Sequence, residues 1–199
     1  MAEPIAYSST PEAAPTGPAS LIVPGRVVIA PLEACGRLIV RGRETARRRA
    51  SETLGVELPD RACRASGGGV ENGGIAALWL GPDEWLVLVL ARTDLEVARN
   101  VAAALAGCPH ALVDVSDRQT AIAVCGPLAA DILNIGCPLD LEPRAYPTGM
   151  CSGTLLGKAE IVLWRTGDEA FRIEVARSFS DYVSVFLIGA ARVIIAAGA

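Results

Sequence analysis

The chain is 199 residues long, carries a formal net charge of −4, and consists of 51% apolar, 5% aromatic and 20% charged residues. This length suits one domain with a core built mainly from Ala, Val, Leu and Ile. The six cysteines form no C-x-x-C pair, which argues against a disulfide scaffold and predicts reduced thiols. Because no basic segment followed by an apolar one opens the sequence, we expect a cytoplasmic protein.

Positive charge is concentrated between residues 26 and 64, where nine Arg outnumber five acidic residues by four. Nucleic-acid binding usually combines such charge with aromatic side chains that stack on bases, and this segment contains none. The sequence therefore argues against a nucleic-acid partner. It indicates either a solvated helix face or contact with an acidic protein surface.

Residues 1–24 are rich in Pro, Ala, Ser and Thr and lack an apolar period, which predicts a disordered tail. Short strands are predicted over residues 26–30 and 37–41. A helix is predicted over Glu44–Leu54, ended by Gly55. Its buried stripe should be Ala46, Ala50 and Leu54.

The middle of the chain alternates predicted strands with predicted helices. A glycine-rich loop over residues 66–74 precedes two apolar strands, 75–80 and 84–90, that flank a turn. Thr93 and Glu96 form a T-x-x-E capping box for a helix that ends at Gly107. Strands at 111–115 and 119–125 and a short helix after Pro127 follow.

The last third of the chain predicts a hairpin and a long terminal helix. Strands at 159–164 and 170–175 flank a polar turn. The helix should begin at Ser178 or Ser180. Its apolar stripe should pack on the sheet: Tyr182, Phe186, Gly189, Val193 and Ala196. From Val183 the apolar stretch has 17 residues, short of the ~20 that span a bilayer, so we expect a core helix and no membrane contact.

Strand pairs that alternate with single helices predict an α+β fold with mixed or antiparallel sheets and packed helices. We expect one such domain over residues 25–199. No period typical of a solenoid repeat is present.

Three motifs that carry chemistry in other proteins are incomplete here. The only histidine, His110, lies near Cys108, and no second cluster of metal ligands accompanies them. Residues 67–69 precede no helix that would bind phosphate, and Gly157-Lys158 lacks the Ser/Thr of a nucleotide-binding loop. These three motifs therefore predict no metal site, no nucleotide site and no catalytic residue.

A polar cluster of Asp114, Ser116, Asp117 and Arg118 lies between two predicted strands. Its carboxylates are suited to acid–base chemistry or to pairing with Arg. Asp and Ser also stabilise turns by bonding to the nearby backbone, and no partner base accompanies this cluster. Both interpretations stay open, and the turn is favoured.

Five strings, in this order, resemble the gamma subunit of heterotetrameric sarcosine oxidase. They are WLGPDEWLV (79–87), VDVSDRQTAIAVCG (113–126), GCPLDL (136–141), GKAEIVLWR (157–165) and RSFSDYV (177–183). The resemblance covers about residues 26–198. It implies a non-catalytic subunit that helps assemble a complex with alpha, beta and delta subunits. That complex oxidatively demethylates sarcosine to glycine, with FAD, FMN, NAD and tetrahydrofolate bound by other chains.

The resemblance also implies a fold like the folate-binding domain of the glycine-cleavage aminomethyltransferase. A D-x-S-x-R-G motif of that enzyme is similar to Asp114, Ser116 and Arg118 here, with Gln119 in place of the glycine. A tetrahydrofolate-binding one-carbon module is therefore the alternative function. The acidic pair that follows a later glycine in that enzyme is replaced here by Lys158 and Ala159.

If the chain is an assembly subunit, its Trp, Tyr and Arg residues are the expected core anchors and interface hot spots, since these types dominate interface energetics. Core packing is the alternative for each Trp. The candidates are Trp79, Trp85, Arg118, Trp164, Arg165, Arg177 and Tyr182.

Overall fold

A computed structural model describes residues 20–68, 74–90 and 94–198 of the chain. Within these ranges the chain divides into two compact units. Unit 1 consists of residues 34–117 and 149–152, and unit 2 of residues 20–33, 118–148 and 153–198. The expected domain over residues 25–199 thus contains two units.

Eleven strands and four α-helices are formed by the described residues. The strands are β1 (Leu21–Val23), β2 (Val27–Pro31), β3 (Gly36–Gly42), β4 (Ala65–Gly67), β5 (Ile75–Gly81), β6 (Glu84–Val89), β7 (His110–Asp114), β8 (Gln119–Cys125), β9 (Cys151–Leu156), β10 (Ala159–Gly167) and β11 (Ala170–Ala176). The helices are α1 (Glu44–Leu54), α2 (Asp94–Leu105), α3 (Ala129–Asn134) and α4 (Ser180–Ala196).

One sheet has five strands in the order β4-β5-β6-β3-β7, and its pairings are antiparallel. The other has six strands in the order β1-β2-β8-β11-β10-β9. In it, β1 with β2, β2 with β8, β8 with β11 and β11 with β10 are antiparallel. The predicted α+β fold with antiparallel sheets and packed helices is confirmed.

Unit 1 has its core between one face of the five-stranded sheet and helices α1 and α2. As predicted, α1 buries Ala46, Ala50 and Leu54. The largest side chain in this core is that of Trp85, which is 1% exposed. Its Nε1 donates a hydrogen bond to the carbonyl oxygen of Pro59 over 2.8 Å. The indole therefore holds the segment after α1 against the sheet.

In unit 2, α4 packs on β2, β8 and α3. The face that it buries is not the predicted one. Val183, Leu187, Ala190 and Ala191 are buried, whereas Tyr182, Gly189, Val193 and Ala196 are exposed. The prediction failed because α4 is apolar around most of its circumference, so that apolar spacing alone did not single out one face.

The predicted tail ends earlier than expected. Leu21–Val23 forms the edge strand β1, which pairs with Val27–Ile29 across a short turn. Three consecutive apolar residues, two of them β-branched, favour a strand once a partner strand is close. Residues 1–19 and the predicted capping residue Thr93 lie outside the described residues.

The terminal helix α4 begins at Ser180, one of the two predicted start residues, and a 3-10 turn at Arg177–Phe179 leads into it. Together they span Arg177–Ala196, 20 residues, and by length and composition they are the one membrane-span candidate among the described residues. One face of this segment nevertheless packs on unit 2. It therefore contributes to a protein core, as the sequence predicted.

The role of Trp85 can be tested against a matched control. Trp79 lies directly opposite it on β5 and is only partly buried. We expect Trp85→Phe to lower the free energy of unfolding by about 1–3 kcal/mol, since the buried Pro59 carbonyl then lacks its donor. Urea denaturation of the chain measures this loss. The matched variant Trp79→Phe should lose less, and equal losses would contradict the assignment.

Candidate functional site

Asp114, at the end of β7, and Ser116, just after it, stabilise a turn. Asp114 Oδ1 accepts hydrogen bonds from the Ser116 backbone N–H (2.9 Å) and from Ser116 Oγ (2.6 Å). Ser116 Oγ in turn accepts from the backbone N–H of Arg37 on β3, over 2.9 Å. Both side chains thus fix the end of β7 beside β3, which agrees with the predicted structural role.

Arg118 is placed differently from the other two residues of the folate-like motif. Asp114 and Ser116 belong to unit 1, whereas Arg118 is an exposed residue of unit 2. Its carbonyl oxygen accepts a hydrogen bond from the backbone N–H of Arg177 over 2.9 Å. Neither unit by itself contains all three motif residues.

The turn between β9 and β10 holds no acidic pair either. Lys158 donates its backbone N–H to Tyr182 Oη over 3.1 Å, and Ala159 is buried. No carboxylate stands at these two positions. The residues present therefore do not fit the folate chemistry of the aminomethyltransferase.

Burial divides the seven interface candidates into two groups. Trp85, Trp164 and Arg165 are buried within the chain, where they act as core anchors. Trp79 is partly buried, and Arg118, Arg177 and Tyr182 are exposed. Only the second group offers side chains to a partner.

Arg165 on β10 holds a loop of unit 2 in place. Its Nη1 donates to the carbonyl oxygens of Leu141 (3.0 Å) and Tyr146 (2.9 Å). Its Nε donates to Gly167 O over 3.2 Å, and Nη2 donates to Asp168 O. The guanidinium also lies 5.0 Å from the ring centroid of Phe171. Burial lowers the pKa of this guanidinium, and the surrounding carbonyls compensate for its lost hydration.

A buried ion pair on β11 is the polar feature that the sequence analysis missed. Arg172 Nε lies 2.6 Å from Glu174 Oε1, and both side chains are nearly inaccessible to solvent. The signal was present in the strand itself, since two charges occupy alternate positions of the apolar string AFRIEVA. Removing one partner of such a buried pair would leave an uncompensated charge in the protein interior, which is strongly destabilising.

Cys108 and His110 bond to the backbone near the end of α2. Cys108 Sγ donates to Leu105 O over 3.1 Å. His110 Nδ1 lies 2.8 Å from Cys108 O, and the residue opens β7, one position before the predicted strand. Among residues 20–68, 74–90 and 94–198, no three His, Cys, Asp or Glu side chains are grouped to hold a metal ion.

At least four of the nine arginines at residues 26–64 bond to acidic side chains or to backbone carbonyls of the chain. Arg41, Arg47 and Arg48 form ion pairs with acidic neighbours. Arg49 Nη1 donates to the carbonyls of Ala104 and Ala106 at the end of α2, over 3.4 and 3.1 Å. This engagement supports the solvated-face interpretation of α1.

Comparison with known proteins identifies the family. Residues 42–192 match the "Sarcosine oxidase, gamma subunit family". The chain belongs to the sarcosine oxidase gamma subunit family. The resemblance seen in the five strings is thereby confirmed.

Two relatives illustrate how far the family similarity extends. The chain is 36% identical over 140 residues to sarcosine oxidase subunit gamma of Corynebacterium sp. (strain P-1), covering 70% of this chain and 66% of that one. It is 34% identical over 137 residues to the Arthrobacter sp. subunit gamma, covering 69% and 65%. The chain thus spans slightly less than two thirds of these gamma subunits.

Solved structures agree with this family assignment. Heterotetrameric sarcosine oxidase from Corynebacterium sp. U-96, in complex with pyrrole 2-carboxylate, contains a chain with TM-score 0.79 and 29% identity, covering 86% of this chain and 87% of that one. Aminomethyltransferase T of the Bartonella henselae glycine cleavage system gives TM-score 0.66 at 15% identity, covering 84% and 47%. The second match shows the fold alone, and it confirms the expected aminomethyltransferase-like fold.

Substitution of Arg165 tests its role in this gamma-family chain. Lysine cannot reach all four carbonyls from one nitrogen. Arg165→Lys should therefore leave buried carbonyls unpaired and lower the free energy of unfolding by about 2–4 kcal/mol. Arg177→Lys at an exposed position should change it by no more than about 0.5 kcal/mol. Urea titration compares the two variants, and similar values would refute the role assigned to Arg165.

Thiol reactivity tests the burial of Cys151. Burial raises the pKa of this thiol to about 12, so that roughly one molecule in ten thousand carries the thiolate at pH 8. We expect iodoacetamide to modify partly exposed Cys63 in the native chain and to spare Cys151, as read by peptide mass mapping. In urea both should react. Equal native rates would be inconsistent with the structure.

Proposed function

We propose that this chain is the gamma subunit of a heterotetrameric sarcosine oxidase, which demethylates sarcosine oxidatively to glycine, and that its role is to assemble the complex. The observation that carries the proposal is the family match over residues 42–192. The similarity to a chain of the Corynebacterium sp. U-96 heterotetramer supports it. The alpha, beta and delta subunits are the proposed partners.

A non-catalytic role is supported by how the polar side chains are used. Asp114 and Ser116 bond to each other, Arg172 is paired with Glu174, and Arg165 binds backbone carbonyls. Proton transfer or nucleophilic attack needs a side chain that can reach a substrate. These groups are instead satisfied by the chain itself.

The remaining parts of the proposal concern cofactors and location. We assign FAD, FMN, NAD and tetrahydrofolate to the other subunits and none to this chain. We also assign the chain to the cytoplasm, without a nucleic-acid or membrane partner. All six cysteines lie within the described residues and are free thiols, which is usual in a reducing compartment.

Tetrahydrofolate binding by this chain is the weaker candidate. The similarity to aminomethyltransferase T is one of fold, and one fold commonly supports several unrelated functions. The turn after Gly157 presents Lys158 and Ala159 where the transferase chemistry needs carboxylates. No specific observation therefore favours this function.

The proposal predicts different behaviour for the chain alone and in the complex. The isolated chain should show no flavin absorbance and no sarcosine-dependent oxygen consumption. When it is co-expressed with the alpha, beta and delta subunits, it should co-purify with them. Oxidase activity in a preparation of this chain alone would disprove the non-catalytic role.

Calorimetry of the isolated chain with tetrahydrofolate separates the two candidate functions. Under the assembly proposal, no binding tighter than a Kd of about 1 mM is expected, which corresponds to ~4 kcal/mol. Tighter binding would favour the one-carbon module. The intact complex serves as the positive control.

A further inference from the structure

Two of the six cysteines lie opposite each other in a strand pairing of unit 1. Arg64 and Met150 form an antiparallel bridge. Cys63, just before Arg64, is therefore the partner of Cys151, just after Met150. The backbone N–H of Cys151 donates a hydrogen bond to the carbonyl oxygen of Cys63 over 3.1 Å. The two cysteines thus occupy a hydrogen-bonded position of the pairing.

This position places the two backbones at the separation that a disulfide needs. The N–H of Ala65 donates to Gly149 O over 2.9 Å on the other side of the bridge, which fixes the register. Residues at hydrogen-bonded positions of antiparallel strands have Cα atoms about 5.5 Å apart. Disulfides join residues whose Cα atoms are ~4.4–6.8 Å apart, most often about 5.5–6 Å. Cys63 and Cys151 therefore meet the backbone requirement for a bond between them.

The side chain of Cys151 extends toward the segment that carries Cys63. Its Sγ donates to the carbonyl oxygens of Arg64 over 3.2 Å and of Trp79 over 3.7 Å. Burial raises the pKa of the Cys151 thiol to about 12, and the Cys63 thiol adds to this rise. Because the effect of one charge on another falls with distance, this electrostatic effect agrees with two thiols that lie close together.

Cys63 has a backbone conformation that is uncommon for its residue type. Its φ is +59°, and within the described ranges it is the one residue other than glycine with a positive φ. Such conformations are costly and occur mostly at functional sites and switch segments. Cys63 is also partly exposed, whereas Cys151 is buried. An oxidant in solution therefore reaches Cys63 before it reaches Cys151.

Two other cysteines provide references for this pair. Cys108 Sγ donates to Leu105 O over 3.1 Å. Cys137 Sγ lies 3.9 Å from Thr154 Oγ1. Cys108 is partly exposed, like Cys63, and Cys137 is buried, like Cys151. A difference in chemistry between the pair and these references would therefore reflect the pairing and not exposure alone.

We propose that Cys63 is a site of reversible oxidation by hydrogen peroxide and that Cys151 converts the oxidised residue into a disulfide. Redox-sensitive cysteines are accessible to solvent and often lie next to a second cysteine that resolves the oxidised form. Disulfides of this kind in the cytoplasm are usually transient. The reaction needs neither the other subunits nor the proposed function, since hydrogen peroxide can act on the isolated chain.

The oxidation proceeds in two balanced steps. The Cys63 sulfur attacks one oxygen of hydrogen peroxide, the O–O bond breaks, and the thiol becomes a sulfenic acid while the other oxygen leaves as water. The Cys151 sulfur then attacks the Cys63 sulfur, the S–O bond breaks, and the hydroxyl group leaves as water with the proton of the Cys151 thiol. The two thiols together lose two electrons and two protons, and hydrogen peroxide is reduced to two water molecules.

Peptide mass mapping of the oxidised chain tests the proposal directly. The reduced native chain is treated with hydrogen peroxide, its remaining thiols are blocked with iodoacetamide, and it is digested without reductant. We expect a peptide pair that joins Cys63 to Cys151 and separates on treatment with dithiothreitol. Oxidation of Cys63 to sulfinic acid without this pair, or a bond from Cys63 to another cysteine, would overturn the proposal.

Substitutions separate the two steps. Cys151→Ser keeps a hydroxyl that can donate to the Arg64 carbonyl, and it should leave the sulfenic acid at Cys63 unresolved. Dimedone, which traps sulfenic acids, should then label Cys63 at least about fivefold more than in the wild type. The matched variants Cys108→Ser and Cys137→Ser should form the disulfide as the wild type does. Equal dimedone labelling of the wild type and Cys151→Ser would contradict the role of Cys151.

Thermal melting tests whether the bond suits the native pairing. A disulfide restricts the unfolded chain, so the oxidised wild type should melt at or above the Tm of the reduced chain. A lower Tm would show that the bond distorts the pairing, contrary to the proposed geometry. If Cys151→Ser does not fold, Cys63→Ser still tests the proposal. In that variant Cys151 should remain a thiol after peroxide treatment, and its oxidation would contradict the order of the two steps.

Unfolding in urea gives the last control. In the native chain the strand pairing selects Cys151 as the partner of Cys63. In urea this selection is lost, so the bond between Cys63 and Cys151 should become one of several disulfide products. The same yield of this bond in urea and in the native chain would show that the pairing does not direct it, and would refute the proposal.

Discussion

The position of helix α4 depends on close approach to the backbone at Gly136 and Gly157. Phe186 and Tyr182 reach within contact distance of these two residues, and a Cβ at either one would collide with a ring or its hydroxyl. Gly157 also has a φ of +59°, which disfavours other residues. This contact fixes the rotation of α4 about its axis, so that Val183, Leu187 and Ala191 point into unit 2. The same rotation leaves Val185 and Val193, on the other apolar side of the helix, exposed to solvent.

Buried polar side chains form hydrogen bonds to the backbone or ion pairs with each other. The Arg165 guanidinium donates hydrogen bonds to four carbonyl oxygens in place of water. Arg172 forms an ion pair with Glu174. Buried charges are tolerated only when they are compensated in this way. A group committed to such a network is poorly placed to exchange protons with a substrate.

The sequence predicted which segments form helices and strands better than it predicted which of their faces are buried. Local signals were sufficient for α1, where one apolar stripe stands out against arginines, and for β5 and β6, where a Gly-Pro-Asp turn joins two apolar runs. They were insufficient for α4, because apolar residues surround the helix and only the glycines on neighbouring segments select its buried side. The roles of Trp85, Trp164 and Arg165 depended on which side of a strand faces the core, and that follows from pairing between distant segments. The two charges of the Arg172–Glu174 pair were visible at alternate positions of the string AFRIEVA, but their burial was not, because both faces of this strand are buried.

The likeness between this chain and aminomethyltransferase T is one of fold, and the residues at two corresponding segments differ from the transferase pattern. At the motif after β7, Asp114 and Ser116 still brace the strand end, but Gln119 stands where the transferase pattern has glycine. At the β9–β10 turn, Lys158 and Ala159 replace the carboxylates, and Tyr182 occupies the backbone N–H of Lys158. In this chain the turn thus supports the exposed side chain of Tyr182. A fold places the same backbone positions in space, and the residues at those positions decide which function the fold serves.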